Sequence, residues 1–267
     1  MQDGEVLHGG VGVIVPVLRD AGTAVIKVSF PHPGNDFEPD AFAAWGGRGA
    51  VLLYERDDSQ YGMLLERVES STLAEVEDSD EVASVAGRIS RRLAIPAAAG
   101  LPRLKDEAGA WEEQLLRDAA ELEHPMPAYV VDAALATIRE LATVQPEVLI
   151  HGDFHARNIL RAEREDWLAV DPKGYVGDPA YDAGNLLRVR AVLNFIENDD
   201  GVKLAHRFLD IYTEAAEIDR EQAQRWSQLL LVQGAFWGRR HGFRRARSGS
   251  SLDRITAFAG ELATLLS

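Results

Sequence analysis

The feature that most restricts how this chain can fold is a change of hydrophobic period near Ser70. Before it, apolar and polar residues alternate in short runs rich in β-branched side chains. EVLHGGVGVIVPVLRD and TAVIKVSF, within residues 5–30, read as two strands joined at Ala21-Gly22. Pro31, Pro33 and Gly34 mark a loop, and Glu38 to Trp45 read as a short helix stopped by Gly46-Gly47. AVLLYE and YGMLLERV give two more strands around the polar turn Asp57-Asp58-Ser59. Beyond Ser70, residues 80–94, 111–123 and 128–142 carry Ala and Leu at helical spacing. Two short strands, VLIH and WLAV, interrupt the helices, which resume at 181–198, 201–216, 220–240 and 253–266. The pattern predicts an α+β chain with an antiparallel, β-rich unit over 1–69 and a mainly helical unit over 70–267. The two join at a hinge near 64–69.

Charge and composition then remove several classes of function. A net charge of −15 weighs against nucleic acid as a partner, because phosphate binding draws on clustered Lys and Arg. The same acidity suits a cationic small molecule. With no cysteine, thiolate nucleophiles, disulfides and Cys-ligated zinc are excluded, which fits a cytoplasmic protein. The opening MQDGEVLHGGVGVIVPV lacks the basic start and long apolar stretch of a signal peptide, and no uninterrupted apolar run reaches membrane-spanning length.

LIHGDFHARNILRAEREDWLAVDP, residues 149–172, concentrates the polar chemistry. His151, Asp153 and His155 alternate, so an extended segment would put them on one face as metal ligands. The stretch lacks the further ligands and supporting shell that a zinc site needs. The plainest alternative is a strand end whose polar groups satisfy their own loop. A third reading takes the whole spacing into account. Phosphoryl transfer needs a carboxylate beside the acceptor hydroxyl, and an Asn and a second Asp that hold Mg²⁺ on the phosphates. Asp153, Asn158 and Asp171, the last after the apolar run 167–170, supply that order.

Such a loop needs a phosphate cover and a paired lysine elsewhere. Gly9, Gly10 and Gly12 lie between strand-like residues, where backbone can approach a phosphate; a hairpin bulge would also explain them. Lys27 sits in the apolar run VIKVS, and Glu38 on the following helix could pair with it. Taken singly, an edge-strand lysine and a solvated helix-start glutamate read as well. No Gly-Lys dipeptide and no GxSxG occur, which excludes a Walker-type loop and a nucleophile elbow.

Through GEVLHGGVGVIVPV, AVIKVS, MLLERV and above all HGDFHARN and DPKGYVGDPAYD, the sequence resembles the aminoglycoside phosphotransferase family, within the protein-kinase-like fold. More narrowly it resembles the streptomycin 6-kinase and hydroxyurea-type resistance kinase branch. The resemblance implies a bilobal kinase fold and an ATP- or GTP-dependent transfer to a hydroxyl. It implies Asp153 as the catalytic carboxylate and Asn158 and Asp171 as holders of Mg²⁺. Gly9, Gly10 and Gly12 would cover the phosphates, and Lys27, positioned by Glu38, would contact them. Backbone from Glu66 to Val68 would read the base. His151 and His155 would support the loop, as Asp178 and Asp182 would by capping and buttressing. The acceptor it implies is an aminoglycoside such as streptomycin. A metabolic or hydroxyurea-type acceptor, or a non-catalytic nucleotide-binding module, are the alternatives. Such kinases usually carry a further segment before the first strand, whereas this chain begins at that strand's edge. Downstream, ENDD at 197–200 could attract a cation or simply end a helix. The run RRHGFRRARSG at 239–249 reads as a solvated basic face, and Phe236 and Trp237 before it as core.

Overall fold

The computed structural model describes residues 1–8, 12–122, 126–196, 198–241 and 249–264. Alternation in the first part of the chain becomes a five-stranded sheet: β1 (Leu7–His8), β2 (Gly12–Arg19), β3 (Gly22–Ser29), β4 (Leu53–Asp57) and β5 (Gly62–Glu66). Its order is β1-β2-β3-β5-β4 and every neighbouring pair is antiparallel. The β2–β3 turn falls at Asp20-Ala21, one residue earlier than the sequence pattern suggests. Period-two alternation decides which side chains meet the rest of the protein. In β3 it buries Lys27 and Ser29 on the inner face and leaves Ile26 and Val28 exposed on the outer one.

Helix α1 (Glu38–Trp45) follows β3 and buries Phe42 and Trp45. It stops at Gly46, whose left-handed backbone (φ 56°) lets its N–H return to the Phe42 carbonyl. After α1 the chain bonds to a distant strand. Val51 N–H reaches Ala169 O at 3.1 Å, and Ala169 N–H reaches Gly49 O at 2.9 Å.

The longer period gives helices α2 (Ser79–Leu93), α3 (Leu104–Glu121), α4 (Ala128–Thr137), α5 (Ala180–Arg190), α6 (Gly201–Ala216), α7 (Arg220–His241) and α8 (Ser250–Thr264). Asp78 caps α2 by accepting the Asp80 N–H at 2.9 Å. Helix α3 starts earlier than its pattern suggested, because Leu104 and Ala108 already face the core. Helix α2 packs on α6, while α7 is flanked by α4, α5 and α8. That central place explains why Leu229, Leu230, Leu231 and Val232 are all buried, so α7 has no exposed face in its middle. One apolar cluster runs from Phe42 and Trp45 through Leu149 and Phe154 to Trp226 and Leu262, joining sheet and helices.

Between α2 and α5 lie five short strands: β6 (Ile95–Pro96), β7 (Val148–Ile150), β8 (Ile159–Arg161), β9 (Trp167–Ala169) and β10 (Tyr175–Val176). They form a sheet in the order β10-β7-β6 and a separate β8–β9 hairpin. The two-residue strands β6 and β10 are too short to show alternation, so the sequence pattern omits them. No helix among the described residues is long and apolar enough to cross a membrane.

Candidate active site

Strand β7 delivers the chain into the segment His151–Asn158, and the β8–β9 hairpin returns it to Asp171. At His151 the imidazole is fully buried and stacks against Trp45, with ring centroids 6.3 Å apart. Burial lowers its pKa to about 4, so the ring is neutral. Its Nε2–H donates to Val170 O at 2.9 Å, and Nδ1 accepts the Asp153 N–H at 3.3 Å. Both ring nitrogens are therefore used inside the loop, which removes His151 as a metal ligand. Among the described residues no group of three His, Asp or Glu is placed to hold a metal ion. The His151–Asp153–His155 cage therefore does not form.

Gly152 has a left-handed backbone (φ 83°), and a Cβ there would lie 2.7 Å from the Tyr175 ring. Only glycine makes this turn beside that ring. Asp182, at the start of α5, holds the turn from below. Its carboxylate accepts the His151 N–H and the Gly152 N–H, each at 2.9 Å. Burial pushes this carboxyl up to about 7 although both N–H groups favour its charged form. Asp178 accepts from Ala180 N–H and from the Trp226 indole, each at 2.9 Å, so it caps α5 and ties it to α7.

With the loop fixed, the Asp153 side chain is 37% exposed and faces a cavity. Asn158 is nearly buried, and its Nδ2 donates to Asp153 O at 3.0 Å, so the amide's donor end is spent on the loop. Asp171 follows β9 with φ 57°, an uncommon conformation for a residue with a Cβ. Its carboxylate meets Lys27 from β3.

Lys27 is the centre of a buried ionic group. Its Nζ donates to Glu38 Oε1 at 2.6 Å and to the Asp171 carboxylate. Burial by itself would lower the lysine's pKa; the two carboxylates outweigh it and hold the ammonium above its usual range. Burial raises the Glu38 carboxyl, with Lys27 acting in the opposite direction. Burial would also raise Asp171, but Lys27 keeps it below the usual carboxylate range. Glu38 reaches the lysine because it opens α1, where the helix N-terminus also favours a carboxylate. The geometry brings Lys27, Glu38 and Asp171 together across more than a hundred residues of chain.

These three line a cavity of about 550 Å³ whose remaining walls include Val25, Leu65, Val68, Leu160 and Val170. Apolar walls between Lys27, Glu38 and Asp171 on one side and Glu66, Arg67, Glu69 and Glu163 on the other leave room for a planar base with a charged tail. Glu66 lines this cavity too, but its carboxylate is turned to Arg164 (2.9 Å) and to the Leu52 N–H (2.9 Å). Gly12 has a packing reason of its own. It lies in β2 opposite Ser29, where a Cβ would stand 2.4 Å from Val28 O, so strand packing already demands it. Gly9 and Gly10 lie outside the described residues.

Asn158 and Asp171 offer an amide oxygen and a carboxylate, hard donors that suit Mg²⁺ completed by water and phosphate oxygens. That donor set fits the ion.

Three further charged residues stand beside these groups without having been singled out in the sequence. Arg164 clamps Glu66 and the Gly47 and Ala50 carbonyls, each carbonyl at 2.9 Å. Lys173 reaches Asn35 at 3.3 Å. Arg188 lines the Asp153 cavity with His155 and Arg157. Elsewhere Phe236 is buried as expected, but Trp237, next on the helix and rotated away from the core, is 53% exposed. Asp199 and Asp200 are exposed at the start of α6 and line neither cavity beside α7. Glu197, Arg244, Arg245 and Arg247 lie outside the described residues.

The family profile described as aminoglycoside/hydroxyurea antibiotic resistance kinase matches residues 1–242. The chain is 36% identical over 238 residues to a streptomycin 6-kinase of Streptomyces glaucescens, covering 88% of this chain and 77% of that protein. It is 32% identical over 239 residues to a hydroxyurea phosphotransferase of Kitasatospora aureofaciens, covering 88% and 68%. Among solved structures, an aminoglycoside phosphotransferase from Alicyclobacillus acidocaldarius subsp. acidocaldarius DSM 446 superposes with a TM-score of 0.58 at 14% identity, over 98% of this chain and 90% of that one. The last is a likeness of fold alone, and it agrees with the α+β, protein-kinase-like architecture.

Proposed function

The chain belongs to the aminoglycoside/hydroxyurea antibiotic resistance kinase family, and on that premise we propose that it inactivates an aminoglycoside such as streptomycin by phosphorylating it. It is a phosphotransferase with a hydroxyl group as acceptor. The observation that carries the finer reading is that one loop and its following hairpin supply residues to two cavities. One holds Lys27, Glu38 and Asp171, the other holds Asp153, and the segment 153–171 links them.

In this mechanism ATP lies in the first cavity, its base between the apolar walls near Val68 and the backbone of residues 66–68. Lys27, held by Glu38, takes the α- and β-phosphates. Asn158 and Asp171 would hold Mg²⁺, which when bound would offset negative charge on the phosphate oxygens. Asp153 orients the acceptor hydroxyl and accepts its proton as the γ-phosphoryl group moves to that oxygen. The His151 and Asp182 hydrogen bonds keep Asp153 in place, so transfer rests on positioning and charge neutralisation rather than a covalent intermediate. A cytoplasmic setting, residues 1–69 as the nucleotide lobe and residues 70–267 as the acceptor lobe complete the proposal.

Phosphorylation would add negative charge and bulk to a cationic antibiotic and weaken its attraction to ribosomal RNA phosphates. The test is ATP consumption with Mg²⁺, with streptomycin, hydroxyurea and simple sugars each offered as acceptor. Streptomycin-stimulated turnover yielding a phosphorylated drug is the expected result. Stimulation by hydroxyurea or a sugar alone would refute the aminoglycoside assignment, and failure to bind any nucleotide would refute the mechanism.

A further inference from the structure

The β8–β9 hairpin does more than return the chain to Asp171. On one side its backbone bonds the segment after α1, through Ala169 N–H to Gly49 O at 2.9 Å and Val51 N–H to Ala169 O at 3.1 Å. On the other it bonds the chain leaving β5, through Glu69 N–H to Arg161 O at 2.9 Å and Arg161 N–H to Ser71 O at 3.0 Å. Arg164, in the turn of the hairpin, bridges these two seams. Its guanidinium donates to Gly47 O and Ala50 O, each at 2.9 Å. It also donates to both Glu66 carboxylate oxygens, at 3.0 Å from Nε and 2.9 Å from Nη2. A planar fork of N–H donors meets two carbonyls and a carboxylate at once, which an ammonium group does not.

Each end of this contact is anchored in turn. Glu165 accepts from Arg164 at 2.9 Å and from Arg92 of α2 at 2.7 Å, so the hairpin turn is tied to a helix. Glu66, the last residue of β5, accepts the Leu52 N–H at 2.9 Å, and its own N–H donates to Leu52 O at 2.8 Å. Its side chain is only 12% exposed, and without Arg164 its carboxylate would keep the Leu52 N–H as its one printed-length donor among the described residues. These contacts bear on the cavity that Lys27 lines. Leu65, Glu66 and Val68 form part of its wall, and Leu160 and Glu163 of the hairpin form another part. Arg164 holds the two parts together without lining the cavity itself.

We propose that Arg164 is a positioning residue for the nucleotide. By fixing Glu66 and residues 47–50 to the hairpin, it sets the backbone of 66–68 where that backbone meets the base. The proposal rests on the kinase reading for the presence of a base in this cavity. It goes beyond that reading in giving a binding role to a side chain that touches neither nucleotide nor acceptor.

The probe is ADP, titrated calorimetrically against the full chain with no acceptor present. Arg164→Gln should weaken ADP binding roughly tenfold, as loss of a charged hydrogen bond does. In steady-state transfer the KM for ATP should rise by the same factor, while kcat and the acceptor KM stay within about twofold. Arg164→Lys keeps the charge but loses the fork, so it should recover only part of the affinity. Adding Glu66→Gln to Arg164→Gln removes the stranded carboxylate; ADP should still bind weakly, because the bonds to Gly47 and Ala50 stay lost. Hydrogen exchange of peptides covering 47–52 and 62–69 should be at least about fivefold faster in Arg164→Gln, with α7 unchanged. Faster exchange or a lower melting temperature with wild-type ADP affinity would make Arg164 a purely structural clamp and overturn the proposal. Full affinity in the double variant or in Arg164→Lys would overturn it too. Equal ADP binding by wild type and Arg164→Gln would sink this role alone, whereas no ADP binding by the wild type would sink the kinase reading and this role with it.

Discussion

The loop at His151–Asn158 and the chamber it borders are neighbours, yet they treat their polar atoms in opposite ways. Around the loop, Lys27 has two carboxylates, His151 uses both nitrogens, and Asp182 receives two N–H groups. At the chamber, His155 Nδ1 and Arg188 Nε are buried without a hydrogen-bond partner. An unsatisfied buried polar atom costs about 1–3 kcal/mol, so a fold keeps it only where something offsets it. On the kinase reading proposed above, the contrast means that the groups around the loop are positioned in advance, whereas the chamber leaves polar atoms for a ligand to complete.

The sharpest way to break this comparison is at Asp171, which serves the built-in side. Asp171→Ala should lower kcat on the order of 10³-fold, because charge on the phosphates loses its fixed counterpart. A loss under tenfold, measured by steady-state kinetics, would move the metal role elsewhere. Lys27→Met comes next. It strands the Glu38 carboxylate at 2% exposure and should cost roughly 3 kcal/mol of stability by urea unfolding. Adding Glu38→Gln should restore part of that loss; no recovery would mean the pair is not the source. On the open side the effect should be confined to binding. Arg188→Gln should raise acceptor KM about tenfold and leave the KM for ATP alone. An equal rise in both would erase the distinction between the two regions.

The smallest effect concerns pH. Burial holds the His151 ring down to about 4 and the Asp182 carboxyl up to about 7. As pH rises from about 4 toward 6.5, the unfolded chain releases a histidine proton that native His151 no longer holds, so this residue adds stability. Over the same window native Asp182 keeps a proton that the unfolded carboxylate has lost, so its contribution falls until pH about 7. The two trends oppose each other in the wild type. Asp182→Asn removes the falling one, so its melting temperature should climb more steeply from pH 4 to 7 than the wild type's. Parallel profiles would show that Asp182 titrates normally.

Much of the built-in side was legible because its chemistry fixes local spacing. Asp153, Asn158 and Asp171 stand at intervals set by one loop and one hairpin, and Lys27 stands out as a charge in an apolar strand. The change of period at Ser70 likewise separated sheet from helices. The open side was not legible, for a physical reason. Its walls come from the loop at Asp153 and from α5, α7 and α8, which are brought together only by tertiary packing. Nothing local distinguishes Arg188 from a solvated helix residue. Trp237 shows the same limit: one step of 100° along α7 takes it from the buried side of Phe236 to solvent. Arg164 was silent as well, since its partners Gly47, Ala50 and Glu66 are about a hundred residues away.

The central claim is that Asp153, held by the His151–Asp182 framework, serves the transfer itself. The most direct test is single-turnover phosphoryl transfer from ATP to streptomycin by the wild type and by Asp153→Asn, with nucleotide binding measured on both. The account predicts unchanged ATP affinity and transfer slowed at least about 10²-fold in the variant. Transfer at the wild-type rate in Asp153→Asn would contradict it.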